Sequence, residues 1–151
     1  MTDASSRQGV ATSEYGRNIR LAEAKIAMAA AEAEAIKNGW PVVIVIVDTG
    51  ARLVILQRLD QAQIGSLLIA QGKAETAVSF KRPTKVFEEG LAEGGLRLRT
   101  LAMGNVMPIE GGLPLLVAGK IVGAIGVSGV QAQQDALVAE AGVRALQAAI
   151  S

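Results

Sequence analysis

Apolar positions along this chain switch between the period of a helix and that of a strand, and the switches mark its elements. From Ser13 onward, Ile19, Ala22, Ile26, Ala29, Ala30, Ala33 and Ile36 recur at helical spacing, and Gly39 followed by Pro41 supplies a stop. The pattern predicts a first helix over residues 14–38, with an alanine-rich buried stripe that permits close packing, within the chain or between subunits. Val42 to Val47 is a continuous apolar run, followed by Asp48-Thr49-Gly50 and then by Leu53 to Leu56, which predicts a hairpin. A strand apolar on both faces belongs at the centre of a sheet covered on both sides.

Ile64, Leu67, Leu68, Gln71, Ala74, Glu75 and Val78 predict a helix running to Phe80, where Lys81-Arg82-Pro83 breaks it. Residues 84–104, interrupted by Gly90 and Gly94-Gly95, predict one short helix and a flexible connection. Between Glu110 and Gly129, six glycines stand among apolar and β-branched residues, the composition of two antiparallel strands turning at Gly119-Lys120. Gln131, Asp135, Leu137, Val138, Ala141, Val143, Leu146 and Ile150 predict a closing helix. The order α-β-β-α-(α)-β-β-α defines an α/β (α+β) class, an antiparallel sheet with helices on both faces rather than a doubly wound nucleotide fold.

Composition narrows the chemistry. At 151 residues, half of them hydrophobic, the chain has the size of one domain, expected over residues 14–151 behind a flexible arm at 1–13. Fifteen basic and 14 acidic residues leave a net charge of +1 with no basic run, so no nucleic-acid partner is expected. No apolar run approaches the roughly 20 residues of a membrane span, and residues 1–14 lack an apolar leader segment, so a cytoplasmic protein without a membrane partner is expected. Histidine and cysteine are absent altogether. That excludes Ser-His-Asp and Cys-His catalysis and the common zinc sites, leaving carboxylates, Lys, Arg, hydroxyls and backbone amides.

Candidate site residues follow from this remainder. Glu110 stands beside the turn Gly111-Gly112, whose amides could face a small acidic ligand, and partial burial would raise its pKa toward acid/base use. Lys73 and Arg82 could bring positive charge to the same cleft. Ser128 is placed as a helix N-cap or as a donor to a bound group. Asp48 is read as a turn residue and a second candidate carboxylate, and Asp135 as complementing the last helix's dipole. Gly123 and Gly126 within a strand signal close approach by another backbone or a ligand.

Taken together, Pro41-Val-Val-Ile-Val-Ile-Val-Asp48, Gly50-Ala-Arg-Leu53, Arg58-Leu-Asp60, Lys73-Ala-Glu-Thr-Ala77, Glu110-Gly-Gly-Leu-Pro114 and Gly123-Ala-Ile-Gly-Val-Ser-Gly129 with Gln134-Asp135 resemble the GlcG/HbpS family, in order and over about 95 residues. The resemblance implies a profilin-like three-layer α/β/α fold around a five-stranded type of antiparallel sheet. It also implies a homo-oligomer and a small-molecule ligand, with haem or another tetrapyrrole foremost. Haem iron is ordinarily held by His, Cys, Met or Tyr, and only Tyr15 and methionines such as Met103 and Met107 are present, so binding through propionates and apolar faces near Lys73, Arg82 or Thr76 is expected. The resemblance also implies a second possibility, an enzyme of small organic-acid catabolism, for which the residues offer an isomerase, tautomerase or hydrolase with Glu110 or Asp48 as acid/base and Lys73 with Arg82 holding a carboxylate; an accessory protein without chemistry of its own is the third.

Overall fold

A computed structural model describes residues 12–150, and the arm expected at 1–13 falls almost wholly outside them. Helix α1 spans Leu21–Asn38, strands β1 and β2 span Val43–Asp48 and Leu53–Arg58, and α2 spans Ser66–Phe80. Then come α3 at Lys85–Glu93, a 3-10 helix at Gly95–Ala102, β3 at Gly112–Val117, β4 at Lys120–Ser128 and α4 at Ala132–Ile150. The connection expected to be flexible is therefore mostly this 3-10 helix.

Among the described residues the sheet has four strands, all antiparallel, in the order β2-β1-β4-β3, one fewer than the five-stranded type expected. The start of the chain explains the difference. Strand β1 ends where Asp48 pairs with Gly123, and β4 runs on beyond it. Tyr15 bridges to Ile121 there, and Ile19 donates its N–H to Val122 O at 2.9 Å. This segment continues the row of β1 and adds no edge strand. It also postpones the first helix from the expected residue 14 to Leu21, where Glu23 Oε1 accepts the N–H of Arg20 at 2.9 Å.

Side chains of β1 alternate between two cores. Val43, Val45 and Val47 pack with Ala70, Ala74, Ala77 and Val78 of α2, while Ile44 and Ile46 pack with α1 and α4. Both faces of the sheet are covered, as the unbroken apolar run required. Gly126 shows why that hairpin is glycine-rich: a Cβ there would collide with Ala70 O and lie 2.6 Å from Ala74 N, so α2 rests its backbone on β4.

Two local expectations shift. The second hairpin turns at Ala118-Gly119, one residue before Gly119-Lys120, because both central residues take positive φ, 51° and 78°, while Lys120 pairs with Val117. In α1 the buried face is Ala24, Ala27, Met28, Ala31 and Ala35, not the stripe containing Ile26 and Ile36, which is solvent-exposed. Alanines lie on both sides of this helix, so periodicity alone does not choose between them. Contact with α4 does: a Cβ on Gly142 would sit 2.9 Å from Ala27 O, and only small residues permit that approach. The alanine-rich packing is thus made within one chain.

Candidate functional site

Lys73 sits in the middle of the buried face of α2, among Ala70, Ala74, Thr76 and Ala77, and is itself fully buried. A charge in such a position needs a partner, and its Nζ donates to Asp135 Oδ2 at 3.0 Å and to Val127 O at 2.8 Å. Asp135, in the first turn of α4, also accepts the N–H of Val130 through Oδ1 at 3.1 Å. Burial pushes the Lys73 ammonium below its ordinary pKa and the Asp135 carboxyl above its own, while each partner's charge pulls the other back. The expected dipole role of Asp135 is therefore secondary to ion pairing.

Gly111 and Gly112 make room for this pair on one side and line the small pocket of Glu110 on the other. A Cβ on Gly111 would lie 2.8 Å from Lys73 Nζ, and one on Gly112 would collide with Lys73 O. The Gly112 N–H is taken by Thr84 Oγ1 at 2.9 Å. Thr76 Oγ1 accepts the N–H of Met107 at 2.8 Å, and Met107 packs its side chain on Gly72. Ser128 does not cap α4; its hydroxyl donates to Ser66 Oγ at 3.2 Å, while Gln131 N–H is met by Gln134 Oε1. Asp48 Oδ1 closes the first hairpin turn on the N–H groups of Gly50 and Arg52, at 2.9 and 3.0 Å. Tyr15 donates its hydroxyl to Val78 O at 2.6 Å.

Glu110 lies in a small pocket of about 150 Å³ with Lys85, Leu113, Ala136 and Glu140. Burial pushes its carboxyl up, Lys85 at 4.0 Å draws it down, and Glu88, Glu140 and Glu89 push it up again. The cation expected beside it is supplied by Lys85; Lys73 is spent on Asp135, and Arg82 lines a different cleft.

That second cleft, of about 290 Å³, lies between α3 and the 3-10 helix. Val86, Phe87, Leu96 and Met103 give it apolar walls, and Arg82, Arg97 and Arg99 edge it. Phe87 is held edge-on by Phe80, with ring centroids 5.4 Å apart, and carries the Arg82 guanidinium at 6.0 Å. Gly90 leaves room for Arg97 to cross α3, since a Cβ there would lie 3.2 Å from Arg97 Cδ. Arg97 and Arg99 escaped the sequence reading because their segment reads as a connection, although the alternation Leu96-Arg97-Leu98-Arg99 was a visible signal. A larger cleft of about 520 Å³ lies beside Trp40, but Glu32 and Asp60 set two carboxylates against the single cation of Arg58 there.

The fold and clefts define a three-layer α/β/α protein with a cation-edged apolar groove and neither histidine nor cysteine. Residues 19–144 match the family model "Haem degrading protein HbpS-like", and the chain belongs to this HbpS-like family. Protein GlcG of Escherichia coli K12 is 40% identical over 101 residues, covering 67% of this chain and 74% of GlcG. Among solved structures, Klebsiella pneumoniae ORFY superposes with a TM-score of 0.81 at 31% identity, covering 91% of this chain and 96% of that one. A complex of PduOC with haem superposes at 0.78 and 28% identity, covering 85% and 94%.

Proposed function

We propose that this protein binds haem or a related tetrapyrrole in the cleft between α3 and the 3-10 helix. The observation that carries the reading is the meeting of apolar walls, an aromatic ring and arginines in one open groove. Flat ligands with an apolar body and carboxylate ends match such a lining. The residues fit haem in this sense: Val86, Phe87 and Leu96 would hold its apolar edge, Arg82 and Arg99 its propionates, and Met103 offers a thioether in the groove lining. When bound, haem would supply iron-centred redox chemistry; the chain itself orients the ring and neutralises its acids. Haem binding by a relative of the same fold supports the reading.

A homo-oligomer is part of the proposal. Ile64, Leu68 and Leu101 are each at least 70% exposed, and apolar groups of this size suit a surface that a second copy covers. The test is a haemin titration followed at the Soret band. Saturable binding at micromolar haemin is expected, weakened about tenfold or more by Leu96→Glu, which replaces part of the apolar wall with a charge. Linear uptake that the substitution leaves unchanged would reject the site.

A second reading, an enzyme of small organic acids with Glu110 as acid/base, is favoured by the raised carboxyl beside Lys85 in its own pocket. Turnover of a small carboxylic acid that Glu110→Gln abolishes would establish it; turnover that survives the substitution would remove Glu110 from the role.

A further inference from the structure

We infer that the cleft selects its ligand through carboxylates and not through a metal, with the guanidiniums of Arg82 and Arg99 as its recognition elements, so that a porphyrin dicarboxylate binds with or without iron. This rests on the proposal that the cleft takes a tetrapyrrole. Arg82 donates Nε to Phe80 O at 2.8 Å, and Arg99 donates Nε to Leu96 O at 2.9 Å. Each side chain is thereby oriented through a backbone carbonyl, which leaves its terminal Nη donors for a ligand. Among the described residues neither guanidinium lies within salt-bridge distance of a carboxylate. Arg97 differs, because its Nε meets Glu93 Oε2 at 3.1 Å.

A guanidinium fixed in this way meets a carboxylate with two parallel hydrogen bonds at little further entropic cost, and such charge-assisted pairs are the stronger class of hydrogen bond. The metal side of the balance is weaker. The chain has no histidine or cysteine, Tyr15 is committed to Val78 O, Met28 is buried in the core and Met107 is packed on Gly72. Among the described residues Met103 remains, 38% exposed on the rim, a single neutral ligand open to water. Removing iron from the ligand therefore costs little, whereas removing its carboxylates costs the interactions the cleft is built to make.

The test compares haemin, iron-free protoporphyrin IX and protoporphyrin IX dimethyl ester, titrated in the same dilute non-ionic detergent. Wild-type protein is set beside Arg82→Gln/Arg99→Gln. Protoporphyrin is expected to bind within about threefold of haemin, and the ester about tenfold or more weaker. The double variant should lose about the same factor for both acids and little for the ester. Equal binding of acid and ester, or a variant that binds both acids normally, would overturn the inference and leave the tetrapyrrole reading standing. Strong binding of haemin with none of protoporphyrin would overturn it in favour of iron ligation. Failure of wild-type protein to bind any of the three would instead reject the tetrapyrrole reading itself.

Discussion

The ammonium of Lys73, on the helix that covers one face of the sheet, lies 3.0 Å from Asp135 Oδ2, on a helix that covers the other face. The pair ties all three layers together at the end of β4, and Gly111 and Gly112 are the gap through which the lysine passes.

Breaking this pair from one side leaves a buried charge without compensation. Lys73→Met is expected to cost about 3–5 kcal/mol in urea denaturation. Adding Asp135→Asn removes the stranded charge while keeping an acceptor for the Val130 N–H, and should restore much of the loss. A double variant as unstable as the single one would show that packing of the lysine stem, and not charge, carries the effect.

Gly126→Ala places a methyl group against the backbone of α2 at Ala70 and Ala74. Neither strand nor helix can yield without disturbing a buried layer, so a loss of roughly 1–3 kcal/mol is expected from overpacking. An unchanged denaturation midpoint would mean that α2 sits further from the sheet than the structure has it.

Glu110 ties stability to pH in a direction that can be checked. Its folded-state pKa is raised above the ordinary 4.5, so the fold prefers the protonated form. Above the folded pKa the ionised carboxylate carries the full burial penalty; as pH falls through that pKa toward 4.5 the penalty is relieved. Glu110→Gln removes the titration, so its melting temperature should exceed that of wild type most at pH 7 and converge with it toward pH 4.5. A gap that widens with acid would reverse the sign of the burial effect.

Met103→Leu keeps the apolar lining of the arginine cleft and removes its sulfur. Haemin affinity is expected to stay within about threefold of wild type. A loss of tenfold or more would assign binding to the thioether–iron bond.

The apolar run Val42–Val47 fixed the central strand, because six consecutive buried side chains can be satisfied only between two covering layers. Asp48 was readable as a turn residue, since its bonds reach only near neighbours in the chain, whereas the half-burial of Glu110, expected from the turn beside it, is made by Lys85, Ala136 and Glu140 from distant segments. Which face of α1 is buried, and that Lys73 belongs to Asp135 at a separation of 62 residues, could not be read this way. Alanines at nearly every turn offer α1 two equivalent faces, and only the close contact with Gly142 selects one. The arginine cleft was likewise hidden, because Arg82, Arg97 and Arg99 come together only when the 3-10 helix folds back on α3. The sequence by itself thus determined the family, the element order and the two-sided sheet, all consequences of local periodicity and composition. Tertiary structure alone decided which charges are paired and which remain for a ligand, since that depends on distances between segments far apart in the chain.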